Sequence, residues 1–166
     1  SKEWYLTQSD QGMIIFIAST LNMGEEEVSV GLKANYSKDD RIWKTKFSFS
    51  DFKPSQFQFI SKDLENLAYL NATLSGTFAA SFENLFDIKK IEFELFCPEG
   101  SAIFNDQSMF FGEHQVENLY MAGYFNNQNP SIFLENFEGK INDSKINGNA
   151  SLPNLYSSPH INASLE

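Results

Sequence analysis

Apolar and polar residues alternate with a period of two along much of the chain, which is typical of strands with one buried face. Every second residue from 28 to 36 is apolar or aromatic, and the residues between them are polar or glycine. After a polar turn at residues 37–40, the same alternation resumes over residues 43–49. These two segments predict a β-hairpin.

The alternation fails between about residues 51 and 67. Asp51, Phe52, Lys53 and Pro54 are typical of a helix start, because proline is tolerated in the first turn. Apolar residues then follow at helical spacing at positions 57, 60, 64 and 67. The pattern predicts one short helix or two helical turns in this region.

Strand patterns return after residue 69 and continue to the end of the sequence. Gly76 interrupts the first of these segments, so a bulge or bend is expected there. Predicted turns follow at residues 97–100, 126–130, 142–143 and 153–159, which are rich in Pro, Gly, Asn and Asp. The predicted strands span residues 70–82, 91–97, 101–104, 116–125, 131–137, 139–152 and 161–165.

Together these elements predict a mainly β fold, an antiparallel meander of roughly ten strands that forms a curved or sandwich-like sheet with one short helix. A chain of 166 residues can bury its own core, and we expect one domain over residues 1–166. The sequence begins at Ser1 without an initiator Met or a signal-like segment, so we expect it to be a fragment of a longer chain. Any membrane contact is expected through parts outside this fragment.

Composition and charge narrow the possible functions. Hydrophobic residues make up 42% of the chain and aromatic residues 15%, which is too apolar for a disordered protein. The formal net charge of -10 has the wrong sign for neutralising phosphate backbones, so no nucleic-acid partner is expected.

Candidate catalytic residues are few. His114 and His160 stand in turn-like contexts without metal-ligand spacing, which favours exposed loop histidines. Glu92 and Glu94 share one side of a strand, where a solvated face is favoured over acid–base chemistry. The single cysteine, Cys97, ends an apolar run and is expected to be a buried structural thiol. With no catalytic or cofactor motif, the sequence predicts no enzyme, no cofactor and no metal site.

The apolar sides of the strands are the feature that remains to be explained. A single sheet with so many Phe, Leu and Ile residues on one side needs a second sheet, a helix or a ligand against that side. Two sheets could bury each other in a sandwich. Alternatively, one curved sheet could hold acyl chains against its apolar concave side.

Several consecutive segments carry a resemblance to a known family. They are FSFSDFKPSQF at residues 47–57, LSG at 74–76, IEFEL at 91–95 leading to Gly100, VENLYMAGYF at 116–125, IFLENFEGKI at 132–141 and KINGNASL at 145–152. Their order resembles the AsmA-like domain of YhdP-type bacterial envelope proteins, which are relatives of TamB. The resemblance covers nearly the whole chain, although Phe52 stands where the family more often has Leu and Asp51 stands where it more often has Gly.

The resemblance implies a segment of a periplasmic protein of a Gram-negative bacterium, anchored to the inner membrane by a segment outside this fragment. Such proteins form a β-groove that conducts phospholipid between the inner and outer membranes. The implied partners are phospholipid acyl chains and neighbouring β-segments of the same chain. The candidate groove residues are those on the apolar sides of the central strands: Phe78, Phe82, Phe93, Leu95, Met121, Phe125, Ile132, Leu134, Ile146 and Leu152.

Two other functions remain open at this point. The chain could be a non-catalytic structural or assembly module of the cell envelope, whose strand edges pair with neighbouring segments or partner proteins. It could also be a secreted carbohydrate-binding sandwich that uses Trp4, Trp43 or Tyr124 as stacking platforms.

Overall fold

The computed structural model describes residues 2–23, 26–57, 69–84, 87–104, 112–153 and 162–165. Their strands form one antiparallel sheet, and a 3-10 helix lies at Pro54–Phe57. The predicted mainly β meander is therefore confirmed. The strands are β1 (Lys2–Ser9), β2 (Gly12–Met23), β3 (Glu26–Ser37), β4 (Ile42–Phe52), β5 (Leu70–Ala72), β6 (Leu74–Phe82), β7 (Lys90–Phe104), β8 (Gly112–Asn126), β9 (Ser131–Ile141), β10 (Ser144–Leu152) and β11 (Asn162–Leu165).

Strand order in the sheet follows chain order, apart from β5. The path runs β1-β2-β3-β4-β6-β7-β8-β9-β10-β11, and β5 pairs with the second half of β7. In the described part of the chain, β1 and β11 each pair with one neighbour, so the sheet is open. Short hairpin turns explain this order, since the predicted turns at residues 37–40, 126–130 and 142–143 all join adjacent strands.

The N-terminal hairpin formed by β1 and β2 has no counterpart in the sequence prediction. Residues 13–18 place apolar side chains on both sides of β2, so apolar and polar residues do not alternate there. Ile15 and Ile17 share one side, and Ile14 and Phe16 share the other. The second side is also occupied, because the Phe16 ring stacks on Tyr5 with a centroid distance of 5.0 Å.

The turn predicted at residues 97–100 is wrong, because these residues lie within β7, a single strand of 15 residues. Cys97 pairs with Leu119 and Glu99 pairs with Glu117, whereas Pro98 between them forms no pair with β8. A proline has no N–H to donate, and the irregularity accommodates it without ending the strand. The predicted break at residue 138 is also wrong, since β9 continues to Ile141.

The predicted helix start is confirmed at Pro54, where the 3-10 helix begins. The rest of that prediction, residues 58–67, lies outside the described residues. The irregularity expected at Gly76 lies in the partner strand β4, where Asp51 has a positive φ of 60° and the register shifts between Phe49 and Phe52. The single long strand predicted over residues 70–82 is divided at Thr73 into β5 and β6.

Very few side chains of the sheet are fully buried. The whole chain has an accessible surface of 11730 Å², whereas a compact monomer of its mass is expected to expose roughly 8,300 Å². The described strands form a single layer, which explains the excess, because each face of a sheet without a facing layer remains open to solvent. The buried hydrophobic residues among those described are Val28, Ala34, Ala72, Phe82 and Cys97.

Candidate functional site

The pairing register places most large apolar side chains of the sheet on one side. Residues directly opposite each other on antiparallel strands point to the same side. A row of such partners that begins at Trp4 crosses nine strands, or about 40 Å at the usual strand spacing. The row contains Trp4, Ile17, Leu32, Phe47, Phe78, Phe93, Gly123, Leu134 and Ala150. We call this side of the sheet the apolar face and the opposite side the polar face.

The adjacent row on the apolar face, two residues along each strand, is also nearly free of polar groups. Its members are Leu6, Ile15, Ala34, Thr45, Ala80, Ile91, Phe125, Ile132 and Leu152. Thr45 is its one polar side chain, and its hydroxyl donates a hydrogen bond to the Ala80 carbonyl at 3.2 Å. Because that hydroxyl already has a partner, it adds little polar surface to the face.

All ten predicted groove residues lie on the apolar face, distributed over β6 to β10. The sequence prediction stopped at the central strands and missed the part of the same face formed by β1 to β4. That part contributes Trp4, Leu6, Ile17, Leu32, Phe47 and Phe49. The alternation over residues 28–36 and 43–49 carried the signal for β3 and β4, whereas β1 and β2 gave none.

The apolar face is incompletely covered. Trp4 is 77% exposed, Phe47 39% and Phe78 38%, and Leu6 and Ile17 are also exposed. Side chains in the core of a sandwich would be enclosed by the facing sheet. In the described part of the chain, this face therefore lacks the complete cover that a sandwich requires.

Four phenylalanines form a cluster near the middle of the apolar face. Phe49 stacks on Phe78 of the neighbouring strand with a centroid distance of 5.8 Å, and it meets Phe52 edge-on at 5.6 Å. Phe47 stacks on Phe49 at 6.2 Å along the same strand. These contacts are between neighbouring rings on the same side of the sheet. They leave the ring surfaces that point away from the sheet open.

The other residues singled out from the sequence do not assemble a reactive site. Cys97 is buried, as predicted, and burial raises the pKa of its thiol. Its Sγ donates to the Glu99 carbonyl at 3.4 Å. His114 lies within β8, so the predicted turn context is wrong for it, and its Nδ1 is 3.2 Å from the Asn142 side-chain nitrogen. His160 lies outside the described residues.

The two paired carboxylates lie on the polar face of β7 and are both exposed. Glu92 forms an ion pair with Lys90 at 3.0 Å, and this hydrogen bond raises the pKa of the Lys90 ammonium group. Glu94 lies opposite Thr77 and Ala122. An exposed carboxylate with a lysine partner has the environment of a solvated strand face.

The three aromatic residues proposed for sugar stacking do not form one platform. Trp4 and Trp43 lie on the apolar face, in strands that are three positions apart in the sheet. Tyr124 lies on the polar face, where its ring stacks on the Phe133 ring with a centroid distance of 4.9 Å. The Lys90 ammonium nitrogen lies over the Tyr124 ring, 4.3 Å from its centroid. The Trp43 ring contacts the Tyr36 ring, with a centroid distance of 5.1 Å.

The described ranges hold neither a metal-binding cluster nor a helix that could cross a membrane. No group of three or more His, Cys, Asp or Glu side chains in these ranges could hold a metal ion. None of the helical structure in the same ranges is both long and apolar enough to cross a membrane.

Comparison with protein-family models, curated proteins and solved structures finds no match for this chain. The resemblance to AsmA-like domains therefore stays a prediction from the sequence.

Proposed function

We propose that this chain is a segment of a periplasmic lipid-conducting β-groove, which supports phospholipid transport between the inner and outer membranes. Acyl chains would lie on the apolar face, and headgroups would stay at its open edge. The observation that carries the proposal is the continuity of the apolar face across nine strands, without full cover from the part of the chain that the structure describes. Each methylene that leaves water for such a surface contributes about 0.8 kcal/mol, so no covalent step is needed.

The exposed area on the apolar face is large for a protein of this size. Aromatic side chains offer about 150–250 Å² each, so the exposed parts of Trp4, Phe47 and Phe78 come to roughly 300 Å². Leu6, Ile17 and other exposed aliphatic residues bring the total to the order of 500–600 Å², at the upper end of the largest apolar patches on monomers. The largest apolar patch on a monomer is often a functional surface.

The proposal is tested by extracting lipid from the chain purified without detergent and identifying it by mass spectrometry. Phe78→Asp places a charge on the apolar face, and Thr77→Asp places the same charge one residue away on the polar face. We expect phospholipid on the parent chain and on Thr77→Asp, and at least about fivefold less on Phe78→Asp, because a carboxylate is costly to desolvate beside acyl chains. Circular dichroism establishes that both variants are folded.

Two results would contradict the groove. One is a folded parent chain that carries no phospholipid after expression in a Gram-negative host. The other is equal phospholipid on Phe78→Asp and Thr77→Asp, because lipid held on the apolar face must respond to a charge placed there.

One observation favours the structural or assembly module as a second candidate. All eight residues of the edge strand β1 are exposed, and its apolar residues Trp4, Tyr5 and Leu6 point to both sides. An open edge with unpaired backbone groups is a template for a further strand. β1 could therefore pair with a neighbouring segment of a longer chain or with a partner protein.

Sedimentation velocity distinguishes association through the β1 edge from association through the apolar face. Trp4→Lys alters the edge strand, whereas Ile17→Lys alters the directly opposite residue in a strand that is hydrogen-bonded on both sides. Strand addition predicts that self-association falls for Trp4→Lys and persists for Ile17→Lys. Loss of self-association in both variants, or no self-association by the parent chain, would count against strand addition between copies.

A further inference from the structure

The polar face carries a basic cavity that the groove does not use. It has a volume of about 480 Å³ and spans β3, β4, β6 and β7. Five of the 12 basic residues of the chain line it, although the formal net charge of the chain is -10. These five are Lys33, Lys44, Lys46, Lys89 and Lys90. We call this site the lysine cavity.

The strand register explains why the lysines surround a depression. Lys33 on β3 lies directly opposite Lys46 on β4, and Lys44 follows two residues away on the same face. On the next strand, β6, Ala79 lies opposite Lys46 and Ser81 lies opposite Lys44. Strands β4 and β7 flank β6 at about 10 Å from each other, so long lysine side chains stand on both sides of short ones.

The charge of the lysine cavity is only partly neutralised. Lys90 pairs with Glu92 at 3.0 Å and Lys89 with Asp87 at 3.7 Å. Among the residues that the structure describes, no carboxylate forms an ion pair with Lys33, Lys44 or Lys46.

Like charges directly opposite each other destabilise a sheet, so the pair formed by Lys33 and Lys46 costs stability when nothing lies between the two side chains. An anion bound between them would remove that cost.

We propose that the lysine cavity binds a phosphate group, carried either by a small soluble phosphate compound or by a phospholipid headgroup. Lysine ammonium groups are common phosphate ligands, and the Ser81 hydroxyl and the Asn35 amide add neutral donors to the lining. The cavity volume lies within the range of small-molecule sites. Because the cavity is on the polar face, a headgroup bound here would be separate from acyl chains on the apolar face.

The chain contains a matched control for this cavity. Lys140 and Lys145 are also directly opposite each other on the polar face, between β9 and β10. There, however, Lys140 pairs with Glu117 at 3.2 Å, and Glu138 lines the same depression. Replacing either lysine pair by glutamine removes the same formal charge, so only a site-specific effect can differ between the two double variants.

The test for a soluble source is isothermal titration calorimetry of the whole chain with inorganic diphosphate at low ionic strength. We expect the Kd to rise at least about tenfold in Lys33→Gln/Lys46→Gln and less than about twofold in Lys140→Gln/Lys145→Gln. Far-UV circular dichroism confirms that both variants are folded. The double variant at the lysine cavity is expected to be at least as stable as the parent chain, because it removes a repulsive pair.

The test for a lipid source is co-sedimentation with phosphatidylcholine vesicles that contain phosphatidic acid, compared with vesicles of phosphatidylcholine alone. Binding that requires phosphatidic acid and falls in Lys33→Gln/Lys46→Gln supports a headgroup, and diphosphate binding with the same dependence supports a soluble phosphate. The proposal is overturned if neither probe binds. It is equally overturned if binding is the same in both lysine double variants.

Discussion

Two phenylalanines of β6 offer a direct comparison between the open and the closed parts of the apolar face. Phe78 and Phe82 lie four residues apart on the same strand and on the same face. Phe78 is 38% exposed, whereas Phe82 is 9% exposed. Replacing each by alanine removes the same atoms from two environments that differ mainly in cover.

The expected difference follows from the area that each ring removes from water. A phenylalanine offers about 200 Å², so Phe82 buries about 60 Å² more than Phe78, which corresponds to about 1.5 kcal/mol at 25 cal/mol per Å². Phe→Ala at a buried site costs about 3–5 kcal/mol. We therefore expect Phe82→Ala to lower the free energy of unfolding by that amount and Phe78→Ala to lower it by about 2–3 kcal/mol.

Urea unfolding followed by circular dichroism measures both changes, and Thr77→Ala on the polar face of the same strand is the control. The control is expected to cost less than about 1 kcal/mol, since it removes only a methyl and a hydroxyl from a half-buried site. An equal or larger loss for Phe78→Ala than for Phe82→Ala would refute the reasoning, because it would mean that another layer covers Phe78.

Three further predictions concern single positions and are all read by urea unfolding. Gly123→Ala is expected to cost about 1–3 kcal/mol, because the added Cβ would meet the Phe133 carbonyl group and lie 3.0 Å from the Leu134 Cα; an unchanged midpoint would contradict this. Since burial raises the pKa of the Cys97 thiol, the free energy of unfolding should fall as pH rises above the ordinary value of 9.0, and Cys97→Ala should remove that contribution. Asn118 has a φ of 50°, so Asn118→Gly should be neutral or stabilise by up to about 1 kcal/mol, whereas Asn118→Val should destabilise by about 1–2 kcal/mol.

The sequence predicts the apolar face because alternation decides on which side of a strand each residue lies. In a hairpin with a short turn, the turn also sets the register, as between residues 28–36 of β3 and 43–49 of β4. Once the face of each strand is known, neighbouring strands must present their apolar sides together. This is why the ten predicted groove residues share one face even though several strand boundaries were wrong.

Other features depend on information that periodicity does not carry. β2 is apolar on both sides, so its alternation is hidden, and Pro98 resembles a turn residue although β7 accommodates it within a strand. Alternation also cannot show whether a second layer covers the apolar side. The lysine cavity requires the strand order as well, since Lys33 and Lys90 are far apart in sequence and line one cavity only because of the order of the strands in the sheet.

Photo-crosslinking in whole cells, where phospholipids are present, tests most directly whether acyl chains occupy the apolar face. A benzophenone amino acid at position 78 would face the proposed lipid path, and the same group at position 77 would face the other side of the sheet. We predict that ultraviolet light joins phospholipid to the chain from position 78 and much less from position 77. Phospholipid adducts of equal yield at both positions, or none at position 78, would contradict the account.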